Sequence, residues 1–490
     1  MPASCPRSGP SASAGGCLRQ VIAGGAITPM TKQTRFPSRR DAILIAAATA
    51  SPMTRSFTIS VAGSKNSTVN FASPTGKVLS KNLFGFSCSF YGGESFSNAT
   101  FRNTANTYLK PSCLWFNSDW DMDGMYAARN MATINALLGN YRSFCQTGVR
   151  VIMGCCKSSK LGSASTMAAR TANFARYLNS NGYSDIVDWT IGNIWSFNGI
   201  SQATTISYFN AVSDALHGVN PAYRIWGPPQ WKPAAYANST WASQVAATRN
   251  NGGVVWVSYD VPADNNNANI TVGLDRAYGQ WGVNNQNAVV QRNALAGTSM
   301  ANAKLGVIEW NMAEDMVNIV TINQSGRYMG GIYAACHLYG IWKSVTSGVD
   351  FANLQNIVDY NNNGAIGNRQ QNGNMAMVDA AGYFIGRAGQ TLYGPEYAST
   401  TTINNLAILA VKPTTTTFAI LLINYDLTNS RMVSLAVSGG VPTGTITRWE
   451  IGKSSPGAPN SPTPITRAHA GLESISIASE TIVILTGQLS

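Results

Sequence analysis

Charged side chains make up only 11% of the 490 residues, less than half of the roughly 25% usual in soluble domains. A surface so poor in charge, with abundant Asn, Ser, Thr and Gly between apolar runs, suits neutral, hydroxyl-rich partners. Histidine is nearly missing, at three residues, which removes the commonest ligand of a catalytic zinc. There is no phosphate-binding loop, dinucleotide fingerprint, Ser-His-Asp elbow or EF-hand loop, so no cofactor and no metal are expected. No apolar run reaches the roughly 20 residues that a membrane-spanning helix needs, so no stable membrane insertion is expected either. What the chain has is bulk: 44% hydrophobic and 10% aromatic content gives it enough apolar surface for a large core and more than one domain.

Two features that look informative carry less than they promise. The eight cysteines lack the spacing of a zinc knuckle or a small disulfide scaffold. Cys88, Cys113 and Cys155 fall near the ends of three successive candidate strands, where they can meet as a bridge or a metal site; small buried packing residues are the plainer reading. The formal charge of +12 is not a nucleic-acid footprint. Half of it sits in residues 1–55, where seven Lys/Arg face one acid, Asp41. The rest is spread without a basic run or a basic helix face, so no nucleic-acid partner is expected.

Within that leader, Ser38-Arg39-Arg40-Asp41 precedes the apolar stretch 42–50, with small-residue cleavage candidates at Ala46-x-Ala48 and Ala48-x-Ala50. The pattern resembles a twin-arginine export signal, which implies a bacterial protein delivered to the periplasm or beyond. Ala42 stands where a bulky apolar residue is usual, and Met30 is an alternative start.

Short strands are expected at 57–61 and 68–71. From residue 83 to about 394, apolar runs at 83–87, 113–116, 149–154, 186–192, 224–227, 254–259, 305–310 and 351–358 alternate with helical patterns such as 125–145, 165–179, 204–216 and 329–345. Eight strand–helix alternations predict an α/β fold, a (β/α)8 TIM barrel, whose chemistry sits at the C-terminal ends of the strands. Beyond residue 391 the period changes to strand-like runs at 406–411, 418–424, 432–437, 444–451 and 474–485 with Gly/Pro/Asn turns, which predicts a C-terminal antiparallel β-sandwich. The expected domains are therefore 1–55 (leader), 56–392 (barrel with its preceding short strands) and 393–490 (sandwich).

One acid, Glu309, ends the apolar run Leu305-Gly306-Val307-Ile308, where burying a carboxylate without a use is costly. Trp115, Trp120, Trp195, Trp231 and Trp310 fall at or just after strand ends, the placement that stacking on sugar faces requires. Tyr259 ends the sixth strand, and Asn193 and Asn311 sit where they can hydrogen-bond substrate hydroxyls.

The segment from Gly306 to Asn311, GVIEWN, resembles the nucleophile strand of clan A glycoside hydrolases, in particular the heparanase-like β-glucuronidases, β-xylosidases and α-arabinofuranosidases. Asp188-Trp189-Thr190-Ile191-Gly192-Asn193 resembles their fourth strand, and 108–115 their second. The resemblance spans about residues 80 to 485 and implies a retaining two-carboxylate hydrolase with Glu309 as nucleophile. It departs at the position after Asn193, where those families carry the acid/base Glu and this chain has Ile194. Trp115 replaces a usual Arg, and Ser258-Tyr259-Asp260 replaces a usual His.

Three readings follow. Another acid supplies the proton: Asp260 at the end of the sixth strand, Glu94 in the first loop, or Asp119, Asp121 or Asp123 in the second loop. Alternatively the chain is a carbohydrate-binding protein that has lost the reaction, or a structural envelope protein using its surfaces for other macromolecules.

Overall fold

The computed structural model describes residues 65–88, 96–116, 122–156, 162–192, 199–231, 237–261, 283–313, 332, 334–342, 349–354, 357, 378, 380–426, 428–452, 464–469 and 471–490. At 133, 136, 137, 231, 258–261, 283–286 and 311–313 only the backbone is described. The leader and the strand expected at 57–61 lie outside the described residues.

The first strand, β1 (Ser67–Leu79), belongs to the second sheet. The barrel is built from β2 (Gly85–Cys88), β3 (Cys113–Phe116), β4 (Arg150–Cys155), β5 (Asp188–Ile191), β6 (Arg224–Trp226), β8 (Asn251–Val261), β9 (Lys304–Ala313) and β10 (Val349–Leu354), while the two-residue β7 (Gln230–Trp231) pairs with β8. All neighbours run parallel, and pairing of β6 with β8 closes the ring. Each of the eight expected runs carries a barrel strand. They read as continuous apolar runs because parallel strands are buried on both faces.

Alternation assigns the two faces. Cys113, Trp115, Ile152, Trp226, Val255, Val257, Ile308 and Phe351 form the interior cluster, while Leu114, Phe116, Val151, Met153, Trp189 and Trp256 pack outward with the helices. The interior is filled to the point that a side chain on Gly253 would collide with the Trp226 ring, and one on Gly306 with Phe351.

The helices are α1 (Ala99–Thr104), α2 (Met122–Ala127), α3 (Met131–Asn140), α4 (Ala164–Ser180), α5 (Gln202–Val219), α6 (Ser239–Ala246), α7 (Val283–Leu295) and α8 (Ala380–Thr391), with residues 334–342 also helical. In α4, the Ser163 side chain accepts from the Thr166 N–H as N-cap, and Met167, Thr171, Phe174, Ala175 and Leu178 form one buried face, the three-and-four spacing of an amphipathic helix. The single helical stretch expected at 125–145 is divided. Arg129 takes a left-handed φ of 62°, which no continuous right-handed helix allows, so α2 and α3 are separate. No helix among the described residues is long and apolar enough to cross a membrane.

The second sheet contains β1, β11 (Gly394–Thr401), β12 (Leu406–Val411), β13 (Thr417–Asn424), β15 (Leu435–Ser438), β16 (Pro442–Ile451), β17 (Ile465–His469) and β19 (Thr481–Leu489), beside a ribbon of β14 (Arg431–Val433) and β18 (Ile475–Ile477). It is antiparallel except for the parallel pairing of β1 with β15. The strand expected just ahead of the barrel therefore lies in the C-terminal sheet, paired with residues more than 300 positions away. The central strands are apolar on both faces. Leu406, Ile408, Phe418 and Ile420 pack with the ribbon, while Ala407, Leu409, Leu421, Ile482 and Ile484 share the barrel's cluster with Leu83, Phe84, Leu338 and Phe384. Barrel and sheet thus bury one continuous apolar seam, and truncating Leu409 to Ala at that seam is expected to cost about 2–5 kcal/mol.

Candidate active site

Strict alternation along β9 would turn Glu309 away from the barrel interior. Leu305 and Val307 pack toward the helices, and Glu309 is two residues further on the same parity. The pairing shows why it does not follow them. Opposite Trp256 and Val257, which are consecutive, β9 places Val307 and Glu309; opposite Ala352 and Leu354, two apart, it places Val307 and Trp310, three apart. Both neighbours therefore register one extra residue in β9, a β-bulge at Ile308. A bulge resets which face the following side chains take.

Ile308 lies in the interior cluster, and so does Val257, the cross-strand partner of Glu309. Paired residues share a face, so Glu309 projects into the barrel. It is 94% buried, with 6% of its surface exposed.

The other expected site residues divide into three groups. Trp115 is inside the barrel: its ring is fully buried, and Nε1 donates to Thr190 Oγ1 at 2.9 Å. It forms a wall of the interior. Trp310 is not brought together with Glu309, because beyond the bulge it faces the helices and stacks on His337, with ring centroids 4.7 Å apart and planes at 12°. For Trp231, Tyr259, Asp260 and Asn311 the structure places the backbone alone: Trp231 pairs with Val257, Tyr259 pairs with Asn311, and Asp260 lies within β8. Asn193, Ile194, Trp195, Asp119, Trp120, Asp121 and Glu94 lie outside the described residues.

One of the loop acids has a different position from that expected. Asp123 is wholly buried in α2, where its Oδ2 accepts from Arg170 Nε at 3.1 Å and Thr171 Oγ1 at 2.7 Å. It ties α2 to α4 in the helical layer.

Asn353 was missed in the sequence because it hides in the apolar run of β10. It lies between outward-facing Ala352 and Leu354 and pairs with Gly85, so its amide points into the barrel from the strand beside Glu309. It is fully buried, and neither Nδ2 nor Oδ1 has a hydrogen-bond partner among the described residues. A side chain at position 85 would strike Oδ1; the glycine makes room for the amide. The only signal in the sequence was a polar residue on a strand otherwise apolar at its core.

At the opposite end, Asp188 begins β5 and collects four donors. Arg150 grips it with Nε at 2.9 Å and Nη2 at 2.8 Å, Trp226 Nε1 donates at 2.9 Å, and Arg224 completes the set. Arg150 also pairs with Asp350 and lies over the Trp226 and Phe351 rings, 5.2 and 4.9 Å from their centroids. Hydrogen bonds and charge from these carboxylates outweigh burial and hold the Arg150 guanidinium protonated above its ordinary range. This cluster closes the base of the barrel.

The described cysteines form no disulfide with one another. Cys88 faces the helices while Cys113 faces the barrel interior. Burial pushes the Cys113 thiol up to about 12 and Cys88 further, so both are inert as nucleophiles at neutral pH. Among the described residues no group of three His, Cys, Asp or Glu is placed to hold a metal ion.

No protein-family model and no curated protein matches the sequence. Solved structures do match. The α-L-arabinofuranosidase of Thermotoga maritima, solved with arabinose, superposes with a TM-score of 0.62 at 13% identity over 87% of this chain and 100% of that one. A monomeric β-xylosidase from Caulobacter crescentus gives 0.60 at 10% identity over 87% and 99%. A family 30 endoxylanase from Clostridium papyrosolvens gives 0.56 at 12% identity over 86% and 100%. At such identities the likeness concerns the fold alone, and the share of this chain that is covered takes in both the eight-stranded parallel barrel and the antiparallel sheet.

Proposed function

We propose that this chain is an exported protein on a glycoside-hydrolase scaffold that acts on a polysaccharide or oligosaccharide, with Glu309 as the nucleophile of a retaining reaction. The observation that carries the reading is the bulge at Ile308, which gives a strand the irregularity needed to turn one carboxylate into the barrel. Bulges of this kind re-aim side chains next to active sites. Asn193 and Asn311 serve as hydroxyl ligands, joined by the Asn353 amide, which has no hydrogen-bond partner among the described residues. Trp120, Trp195, Trp231 and Tyr259 supply stacking faces. Twin-arginine export delivers the folded chain to the periplasm or outside the cell, so replacing Arg39 and Arg40 by Lys retains it in the cytoplasm.

Retaining hydrolysis needs a second carboxylate about 5–5.5 Å from the nucleophile, and Ile194 cannot supply it. That observation favours a second reading, a carbohydrate-binding protein whose reaction is impaired, unless Asp119 or Asp260 delivers the proton. A fluorosugar with an activated leaving group separates the two, because such a leaving group needs little acid assistance. Peptide mapping after incubation is expected to find the sugar on Glu309. Label on another residue refutes Glu309 as the nucleophile; oligosaccharide binding with no turnover of any activated glycoside replaces the enzyme by the binding reading; neither binding nor turnover leaves the structural-protein reading.

A further inference from the structure

The outer surface of the barrel carries a groove of about 560 Å³ between the α2–α3 junction and α4, within the size range of small-ligand clefts. Its lining holds three arginines, Arg129, Arg170 and Arg176, and no acid. Arg170 is neutralised from beneath by buried Asp123 at 3.1 Å. Arg129 and Arg176 are exposed and make no ion pair among the described residues; Arg176 donates only to the Asn173 side chain. Among the described residues, two guanidinium groups therefore face one cleft with no acid partner, in a chain only 11% charged.

Their placement is fixed by local structure. The left-handed φ of 62° at Arg129 ends α2 at the groove, and Arg176 projects from α4 on the turn after Arg170. Between them the half-buried rings of Tyr126 and Tyr177 sit 4.9 Å apart at 37°, offering apolar faces, and the Asn181 side chain completes the far wall. Flat rings, an amide and unpaired guanidinium groups match a ligand with apolar ring faces, hydroxyls and anionic substituents.

We propose that this groove is a second binding site, separate from the barrel interior, for an acidic oligosaccharide bearing uronate carboxylates or sulfate esters. Choosing a saccharide over other anions rests on the carbohydrate-directed reading of the barrel; the groove's preference for anions does not. The site lies on the solvent side of the helical layer, so it can hold a polymer without obstructing the strand ends.

The test is calorimetric titration of the full chain with an oligogalacturonate hexamer and a heparin-derived hexasaccharide, against neutral xylohexaose. At low salt both acidic oligomers are expected to bind more tightly than the neutral one and to weaken as salt rises. The double variant Arg129→Ala/Arg176→Ala, at two exposed positions, is expected to melt as the parent does and to lose at least tenfold in affinity for whichever acidic oligomer binds. The two oligomers distinguish carboxylate from sulfate recognition. Undiminished acidic binding in the double variant, or equal binding of xylohexaose that both proteins share, overturns the site. Equally tight binding of inorganic sulfate, or tighter binding of an oligouridylate, removes the saccharide and overturns the proposal as stated. Glu309 labelling by a fluorosugar is read independently, so loss of the barrel reading and loss of the groove are distinguishable.

Discussion

Four donors converge on Asp188 at the N-terminal end of the barrel, whereas one strand from Glu309 the amide of Asn353 is buried with no hydrogen-bond partner among the described residues. Both groups lie inside the same ring of strands. A buried carboxylate with its donors in place is a structural plug, and removing its charge leaves a buried guanidinium one carboxylate short. A buried amide with neither donor nor acceptor used among the described residues costs the fold its desolvation and is available for something that is not part of the fold. The difference separates a carboxylate that the fold uses from an amide that no described residue uses.

The sharpest way to break that comparison is Glu309→Gln. If the upper half is the chemical end, turnover of an activated glycoside falls to ~10⁻³ of the parent or lower, while the chemical denaturation midpoint stays within the range of a neutral change. An active variant, or one that unfolds, would place Glu309 with Asp188 as a structural carboxylate.

Ile194→Glu follows in size. Acid assistance is typically worth about 10²- to 10⁴-fold, so a restored carboxylate is expected to raise hydrolysis of poor leaving groups by that order and of activated ones far less. Comparable gains on both classes, or none in a folded variant, would separate position 194 from proton transfer. Asp119→Asn and Asp260→Asn then test whether a loop acid already serves, by loss of whatever activity the parent has on natural glycosides.

Asp188→Asn addresses the other end. Breaking a buried ion pair from one side costs about 3–5 kcal/mol, because Arg150, 8% exposed, keeps its charge with one fewer carboxylate. Urea denaturation should show the loss with an unchanged slope, and any activity should fall only in proportion to the unfolded fraction. A stable but inactive Asp188→Asn would erase the distinction between the two ends.

The sequence announced much of the fold and less of the site, for reasons visible in particular residues. Parallel strands buried on both faces leave dense apolar runs, and the run 113–116 coincides with β3. Long-range pairing leaves no local trace, so nothing near Thr68 indicates partners such as Thr400 or Ala436. Glu309 was legible as an acid on an apolar strand, but the strand continues past it to Ala313, and its direction was not legible: by alternation it belongs with Val307, and the bulge that turns it inward is marked by no Gly or Pro at Ile308. Asp123 read as a loop acid because its partner Arg170 is 47 residues away. Trp115 and Trp310 both looked like stacking platforms, yet one is a barrel wall and the other a helix contact, a difference of face that a list of aromatics cannot carry.

The smallest expected effect is the most direct probe of the contrast, and it falls on Asn353. A buried polar group that makes hydrogen bonds costs its partners' desolvation when removed, but one that makes none has nothing to lose. Asn353→Leu keeps much of the shape and discards the amide, so its stability is expected to lie within about 1 kcal/mol of the parent. Asn353→Ala guards against overpacking beside Gly85, since inserted volume alone can cost about 1–3 kcal/mol. Oligosaccharide affinity should fall by about 2- to 12-fold in both variants, the value of one typical hydrogen bond of roughly 0.5–1.5 kcal/mol, with the remaining contacts intact. Calorimetric titration beside urea denaturation reads both quantities on one preparation. If stability drops by as much as in Asp188→Asn while affinity is unchanged, the amide belongs to the fold and the two ends of the barrel are alike; if affinity drops while stability holds, the unused amide is a ligand group that the strand beside Glu309 carries into the interior.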